Sequence, residues 1–260
     1  MPLRKRNLEV TPPVAAPVTQ VVPVPGGIRL AQGDVVLSEL RLLPGPTHSV
    51  FDVLASLVHR LAPPGQVAVL GFGAGGILAP MRALGCDRPL QAVDVDATGH
   101  RLFQQWCPAW AEDVAWRQAD ATAWLRVQRR RFACVLEDLS EPRDGDVYKP
   151  VDCRRTLPGL IRRRLGQGGV AVFNLVPDAD GSWPGMAEVL GLFPCVLEVR
   201  YEEYLNRTLV AGTRLPGAGC LGRWVQADLR GMGSQLAGRT RLGRRAGCAG
   251  VDAVDGRAAR

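Results

Sequence analysis

Three carboxylates fall within five residues at Glu137-Asp138-Leu139-Ser140-Glu141, and Pro142 follows them. Acids crowded this closely repel one another unless a cation lies among them or their pKa values climb, so the cluster suits either a cationic substrate or a solvated loop. Upstream stands Gly71-Phe72-Gly73-Ala74-Gly75-Gly76. Four glycines in six positions exceed what a tight turn requires, and at the entrance to a helix they let a ligand approach backbone N–H groups. Asp94 closes the next apolar run, where a carboxylate can accept from both hydroxyls of a ribose, and Asp120 follows the run after that, where an acid can read the exocyclic amine of adenine. Each Asp also reads as a helix cap, although Asp96 is better placed than Asp94 for that role.

These acids act together only if one architecture collects them. Short apolar runs at 67–70, 90–93, 114–117, 133–136 and 170–174 alternate with helical spacing at about 75–84, 97–106, 121–129 and 151–165. That alternation predicts a doubly wound α/β fold with a mainly parallel sheet covered on both faces. A helix over 186–192 precedes runs at 195–201 and 208–211 that are too close together for a crossover helix, so the sheet ends on an antiparallel edge and holds seven strands. Two runs on either side of Ala31-Gln32-Gly33-Asp34 read as a short N-terminal hairpin, followed by a helix over 49–61. Residues 1–26, rich in Val, Ala and Pro, read as an extended flexible leader. The Gly, Ala and Arg of 216–260 read as a disordered tail, which leaves 27–215 as the folded domain.

The 260 residues carry 32 basic and 25 acidic side chains, a formal charge of +7. The excess lies entirely in the two ends, so 27–215 is neutral, which argues against nucleic-acid binding by the folded domain. Arg129-Arg130-Arg131 and Arg162-Arg163-Arg164 sit near helix ends, where cations complement the helix dipole. Seven Cys without a C-x-x-C pair suggest neither a disulfide framework nor a zinc site, and three scattered His give no ligand spacing, so no metal and a reduced cytoplasm are expected. No apolar run is long enough to span a bilayer.

The order of these motifs resembles the spermidine synthase family, the aminopropyltransferases built on the class I S-adenosylmethionine-dependent methyltransferase fold. The resemblance covers about 28–212. It runs through the glycine segment 67–76, Val93-Asp94-Val95-Asp96 in place of Glu-x-Asp, Ala119-Asp120-Ala121, and Asp138-Leu139-Ser140-Glu141-Pro142 in place of Asp-x-x-Asp-Pro, and ends with 168–174 and 206–212. It implies Gly71, Gly73, Gly75, Asp94 and Asp120 as nucleoside contacts, Asp138 as the base and Glu141 as the anchor of the amine chain. It further implies decarboxylated S-adenosylmethionine, or S-adenosylmethionine itself, as co-substrate, a small-molecule amine as acceptor, a role in polyamine biosynthesis and a possible homodimer.

The pattern also departs from the family. Phe72 and Ala74 stand where the family loop has Gly and Asp, and Leu37-Ser38-Glu39-Leu40 is the nearest candidate for the N-terminal segment that grips a polyamine. Methyl transfer by the same fold and a non-catalytic nucleoside-binding module are therefore kept as alternatives, although Val69 stands where ordinary methyltransferases usually carry an acid. A dinucleotide reading, from Gly71-x-Gly73-x-x-Gly76 and a following acid, is a further alternative.

Overall fold

The computed structural model describes residues 19–32, 35–143 and 146–246. A three-stranded antiparallel sheet comes first, in the order β1 (Thr19–Val24), β2 (Gly27–Gln32), β3 (Val35–Arg41). The expected hairpin is therefore present, but a strand from the supposed leader extends it. β1 is an edge strand, and Pro23 is tolerated there because one side of such a strand makes no ladder bonds. Residues 1–18, 33–34 and 247–260, on which parts of the expected leader, hairpin and tail fall, lie outside the described residues.

Helix α1 (Val50–Leu61) follows, capped by Ser49, which accepts from the Phe51 N–H. The alternating part then runs β4 (Val67–Leu70), α2 (Leu78–Ala83), β5 (Leu90–Asp94), α3 (Thr98–Trp106), α4 (Pro108–Ala111), β6 (Val114–Gln118), α5 (Ala121–Val127) and β7 (Phe132–Glu137). A small hairpin, β8 (Glu141–Arg143) and β9 (Asp146–Tyr148), leads to α6 (Val151–Arg155), α7 (Leu157–Arg164) and the long β10 (Leu165–Leu175). The single helix expected over 151–165 is broken at Thr156, because Pro158 in the first turn of α7 has no N–H to continue the ladder. Last come α8 (Met186–Leu192), β11 (Cys195–Tyr201), β12 (Arg207–Gly212), α9 (Ala218–Gly231) and β13 (Thr240–Ala246).

The main sheet has the order β13-β11-β12-β10-β7-β4-β5-β6, with β10 to β6 parallel and β12, β11 and β13 antiparallel. It contains eight strands, not seven, because residues expected to be a disordered tail supply β13, which pairs with the free edge of β11. Every residue of β4 and β7 is buried, as strands covered on both faces must be. Val67 and Val69 pack on one side with α1, α2 and α9; Ala68 and Leu70 pack on the other with α5, α7 and α8. None of the helices among the described residues is long and apolar enough to cross a membrane.

Two buried acids, Asp52 of α1 and Asp228 of α9, tie the C-terminal segment down. Asp228 of α9 accepts from Ser56 Oγ at 2.7 Å and from Arg60 Nε at 2.9 Å. Asp52 accepts from the Thr47 N–H at 2.7 Å and from Ser234 Oγ at 2.6 Å. Leu221, Val225 and Leu229, spaced by four, form the buried stripe of α9. Asp228→Ala strands the Ser56 hydroxyl and the Arg60 guanidinium and should cost about 2–4 kcal/mol, read as a lowered urea midpoint. A loose tail would leave the midpoint unchanged.

Candidate active site

The chain runs outward from β4 through β5 to β6 and then crosses back to β7, so the strand order reverses between β4 and β7. Ligands of open α/β sheets bind outside the carboxyl ends of the strands at such a switch point. A cleft of about 330 Å³ lies there. Asp94 ends β5, Asp120 follows β6, Asp138 follows β7, and Glu141 opens β8; all four line the cleft with Gly71 and Gly73. Gly75 does not. A Cβ on it would lie 2.9 Å from the Phe72 ring and 3.4 Å from Phe103, so it serves packing beneath the loop.

Gly71 shows why the loop needs glycine. Its φ is +86°, its N–H donates to the Val93 carbonyl at 2.9 Å, and a Cβ there would meet the Asp138 carbonyl oxygen at 2.5 Å. The loop and the acidic strand end are thus in backbone contact. Phe72 does not fill the cleft. Only 4% exposed, its ring packs edge-on against Phe103 with centroids 5.4 Å apart and against His100 at 6.1 Å, within the core. His100 in turn stacks on Trp116 at 4.3 Å, and burial lowers its pKa. Trp106, Trp110, Trp116 and Trp124 all lie off the wall of the cleft.

The acids are held by different donors. Asp94 accepts from the Gly73 N–H at 2.9 Å through one oxygen and from the Asp96 N–H at 3.1 Å through the other. Asp120 caps α5, accepting from the Ala123 N–H at 2.7 Å, while it also lines the cleft. Asn174 Nδ2 donates to Asp138 Oδ1 at 2.7 Å, and Asn206 Nδ2 donates to Asn174 Oδ1 at 3.2 Å. Burial pushes the Asp138 carboxyl up to about 6; Glu137 and Asp94 add to the shift, and Lys149 and the Asn174 amide oppose it.

Some of the site is not evident from the sequence. Asp152, exposed in the first turn of α6, faces the same cleft, as does the buried Cys153, whose thiol pKa is raised by burial. Ser38 of β3 lines the cleft and accepts from the Ala74 N–H at 3.0 Å, which fastens the N-terminal sheet to the glycine loop. Glu39, expected as a possible grip for an amine, is 3% exposed and paired with Arg29 at 2.9 Å and Arg41 at 2.6 Å. Among the described residues, no lysine or arginine lines the cleft, whereas Asp94, Asp96, Asp120, Asp138, Glu141 and Asp152 all do.

No protein-family profile matches the sequence, and no curated protein matches it either. Solved structures do match. A probable spermidine synthase from Corynebacterium glutamicum superposes with a TM-score of 0.70 at 16% identity, covering 94% of this chain and 97% of that one. The chain has the spermidine synthase fold. The enzyme of Thermotoga maritima superposes with a TM-score of 0.59 at 13% identity over 84% of this chain and 77% of its own. Human methyltransferase-like protein 13, solved with S-adenosylhomocysteine, gives 0.54 at 20% identity over 71% of this chain and 90% of its own, so the fold is also that of S-adenosylmethionine-dependent methyltransferases.

Gly71→Ala should cost about 2 kcal/mol or more, because it combines an unfavourable φ with a backbone clash. Thermal unfolding measures the loss, and a variant as stable as wild type would mean that the loop and Asp138 are not in contact.

Proposed function

We propose that the cleft binds an adenosyl sulfonium donor, decarboxylated S-adenosylmethionine, and transfers its aminopropyl group to a small-molecule amine. The observation that carries this reading is the charge of the cleft: six carboxylates line it, with no basic side chain among the described lining residues. Such a wall attracts a donor that bears a sulfonium and an ammonium and no acid. It offers no cation to a pyrophosphate, which disfavours a dinucleotide, and none to the carboxylate of S-adenosylmethionine itself. A spermidine synthase of the same fold is solved with the transition-state analogue AdoDATO, at 15% identity and a TM-score of 0.59.

In this reading Asp94 is the ribose contact, Asp120 the contact to adenine beside its cap, and Gly71 and Gly73 supply the close backbone. The donor contributes a carbon activated by its sulfonium neighbour. Asp138 accepts the proton of the attacking ammonium while Glu141 holds the amine chain. The new C–N bond forms as the C–S bond breaks, and its electron pair stays on sulfur as neutral methylthioadenosine. With the leaving group already cationic, most of the rate comes from alignment of nucleophile and carbon. Asp138 must enter the step ionised, so activity should fall as pH drops through about 6.

Asp138→Asn should reduce transfer at least about a hundredfold while calorimetry shows donor affinity nearly intact. Tight binding of S-adenosylmethionine in preference to its decarboxylated form would favour methyl transfer, and silence with both and with methylthioadenosine would favour a binding module. The same variant has a stability signature. A carboxyl whose folded pKa is raised stabilises the protein below its unfolded value, near 4, and that contribution is lost as pH rises through about 6. Asp138→Asn should therefore equal wild type below pH 4 and exceed it by about 2–3 kcal/mol at pH 8, in urea titrations at both pH values.

A further inference from the structure

One ion pair brackets Asp138 on both sides. Glu137 ends β7 and Lys149 follows β9, and each side chain is 2% exposed. Lys149 Nζ donates to Glu137 Oε1 and to the Leu139 carbonyl, both at 2.7 Å, and the Leu139 N–H donates to Glu137 Oε1 at 2.9 Å. The residues before and after Asp138 therefore hang on the same ammonium. Arg154 of α6 extends the strut: its Nε donates to the Lys149 carbonyl at 3.2 Å, and its two terminal nitrogens reach the Asp178 carboxylate at 2.8 Å each. Enclosing two charges costs several kcal/mol per ion, and an apolar pair of similar volume would fill the same space at lower cost. The arrangement makes sense if the charges serve their neighbour.

We propose that the Glu137–Lys149 pair is a positioning device that fixes the place of Asp138 in the cleft and sets its ionisation. Lys149 favours the carboxylate, and Glu137 keeps that carboxylate basic. The other groups that bear on Asp138 are the Asn174 amide of β10, which favours the charged form, and Asp94 of β5, which disfavours it. Tyr201 of β11 is close enough to interact with Asp138 and is held as a neutral phenol by burial. The effect of the pair on turnover rests on the transferase reading above, whereas its effect on the titration of Asp138 does not.

The test is an NMR titration of the full chain labelled with ¹³C-aspartate, with Asp138→Asn identifying the signal. In Glu137→Gln the amide oxygen still accepts from Lys149 and Leu139, but the negative charge is gone. The Asp138 midpoint should fall by at least about half a pH unit, roughly a threefold change in the ratio of ionised to protonated carboxyl at fixed pH. In Glu137→Gln/Lys149→Gln the stronger of the two influences is removed as well, and the midpoint should rise above that of wild type by a similar amount. Where the variants transfer an aminopropyl group, the acid limb of the rate profile should move with the midpoint while the KM for the donor stays put. Unchanged midpoints in both variants, with native amide spectra, would overturn the proposal. If the double variant does not fold, a Glu137→Gln midpoint at or above wild type overturns it alone. Shifted midpoints in a chain that binds no adenosyl donor would instead keep the positioning pair and remove the transferase reading.

Discussion

Parallel strands deliver their carboxyl ends to one edge of a sheet, and here those ends bear like charge. The mutual repulsion of these acids is the constraint around which the rest of the site is arranged. Donors are placed against them one by one: the Gly73 and Asp96 N–H groups on Asp94, the Ala123 N–H on Asp120, the Asn174 amide on Asp138 and the Lys149 ammonium on Glu137. Glu141 and Asp152 remain exposed to water. What these donors leave uncompensated is what a cationic ligand would relieve.

The N-terminal sheet contributes in a different way. Its buried acid, Glu39, is neutralised by Arg29 and Arg41, and its link to the site is the neutral Ser38, which secures the Ala74 amide. The negative field of the cleft thus comes from the sheet's own edge and the segment after it. Phe72 and Ala74, where the resembling family has Gly and Asp, fit the same picture. Phe72 packs into the core against Phe103 and His100 and forms part of the cleft wall without filling the cleft.

Much of this was legible because core strands leave simple signatures. The run at 67–70 is wholly apolar and stops at Gly71, that at 195–201 starts after Pro194 and is rich in strand-forming residues, and they match β4 and β11 residue for residue. Asp94, Asp120, Asp138 and Glu141 could be placed on one edge because parallel topology dictates where strand ends go. The C-terminal segment is harder to read, because Leu221, Val225 and Leu229 give only a weak helical period amid glycine and arginine, and β13 is held by backbone pairing with few apolar side chains. Lys149 could not be read at all. Nothing local to it announces a partner at Glu137, and the pairing exists only because the β8–β9 hairpin folds the chain back. Asp152 was missed for a similar reason, since the break at Thr156 that shapes its short helix depends on Pro158 several residues on.

The ties between α1 and the C-terminal segment also bear on how the chain assembles. Ser56 meets Asp228 across 172 residues of sequence, and Asp52 meets Ser234 across 182. During synthesis the apolar face of α1 leaves the ribosome long before the helix that covers it. Closure of that side of the molecule is therefore a late step with a large loop entropy, and the nascent protein carries an uncovered hydrophobic surface until the segment holding α9 and Ser234 has emerged.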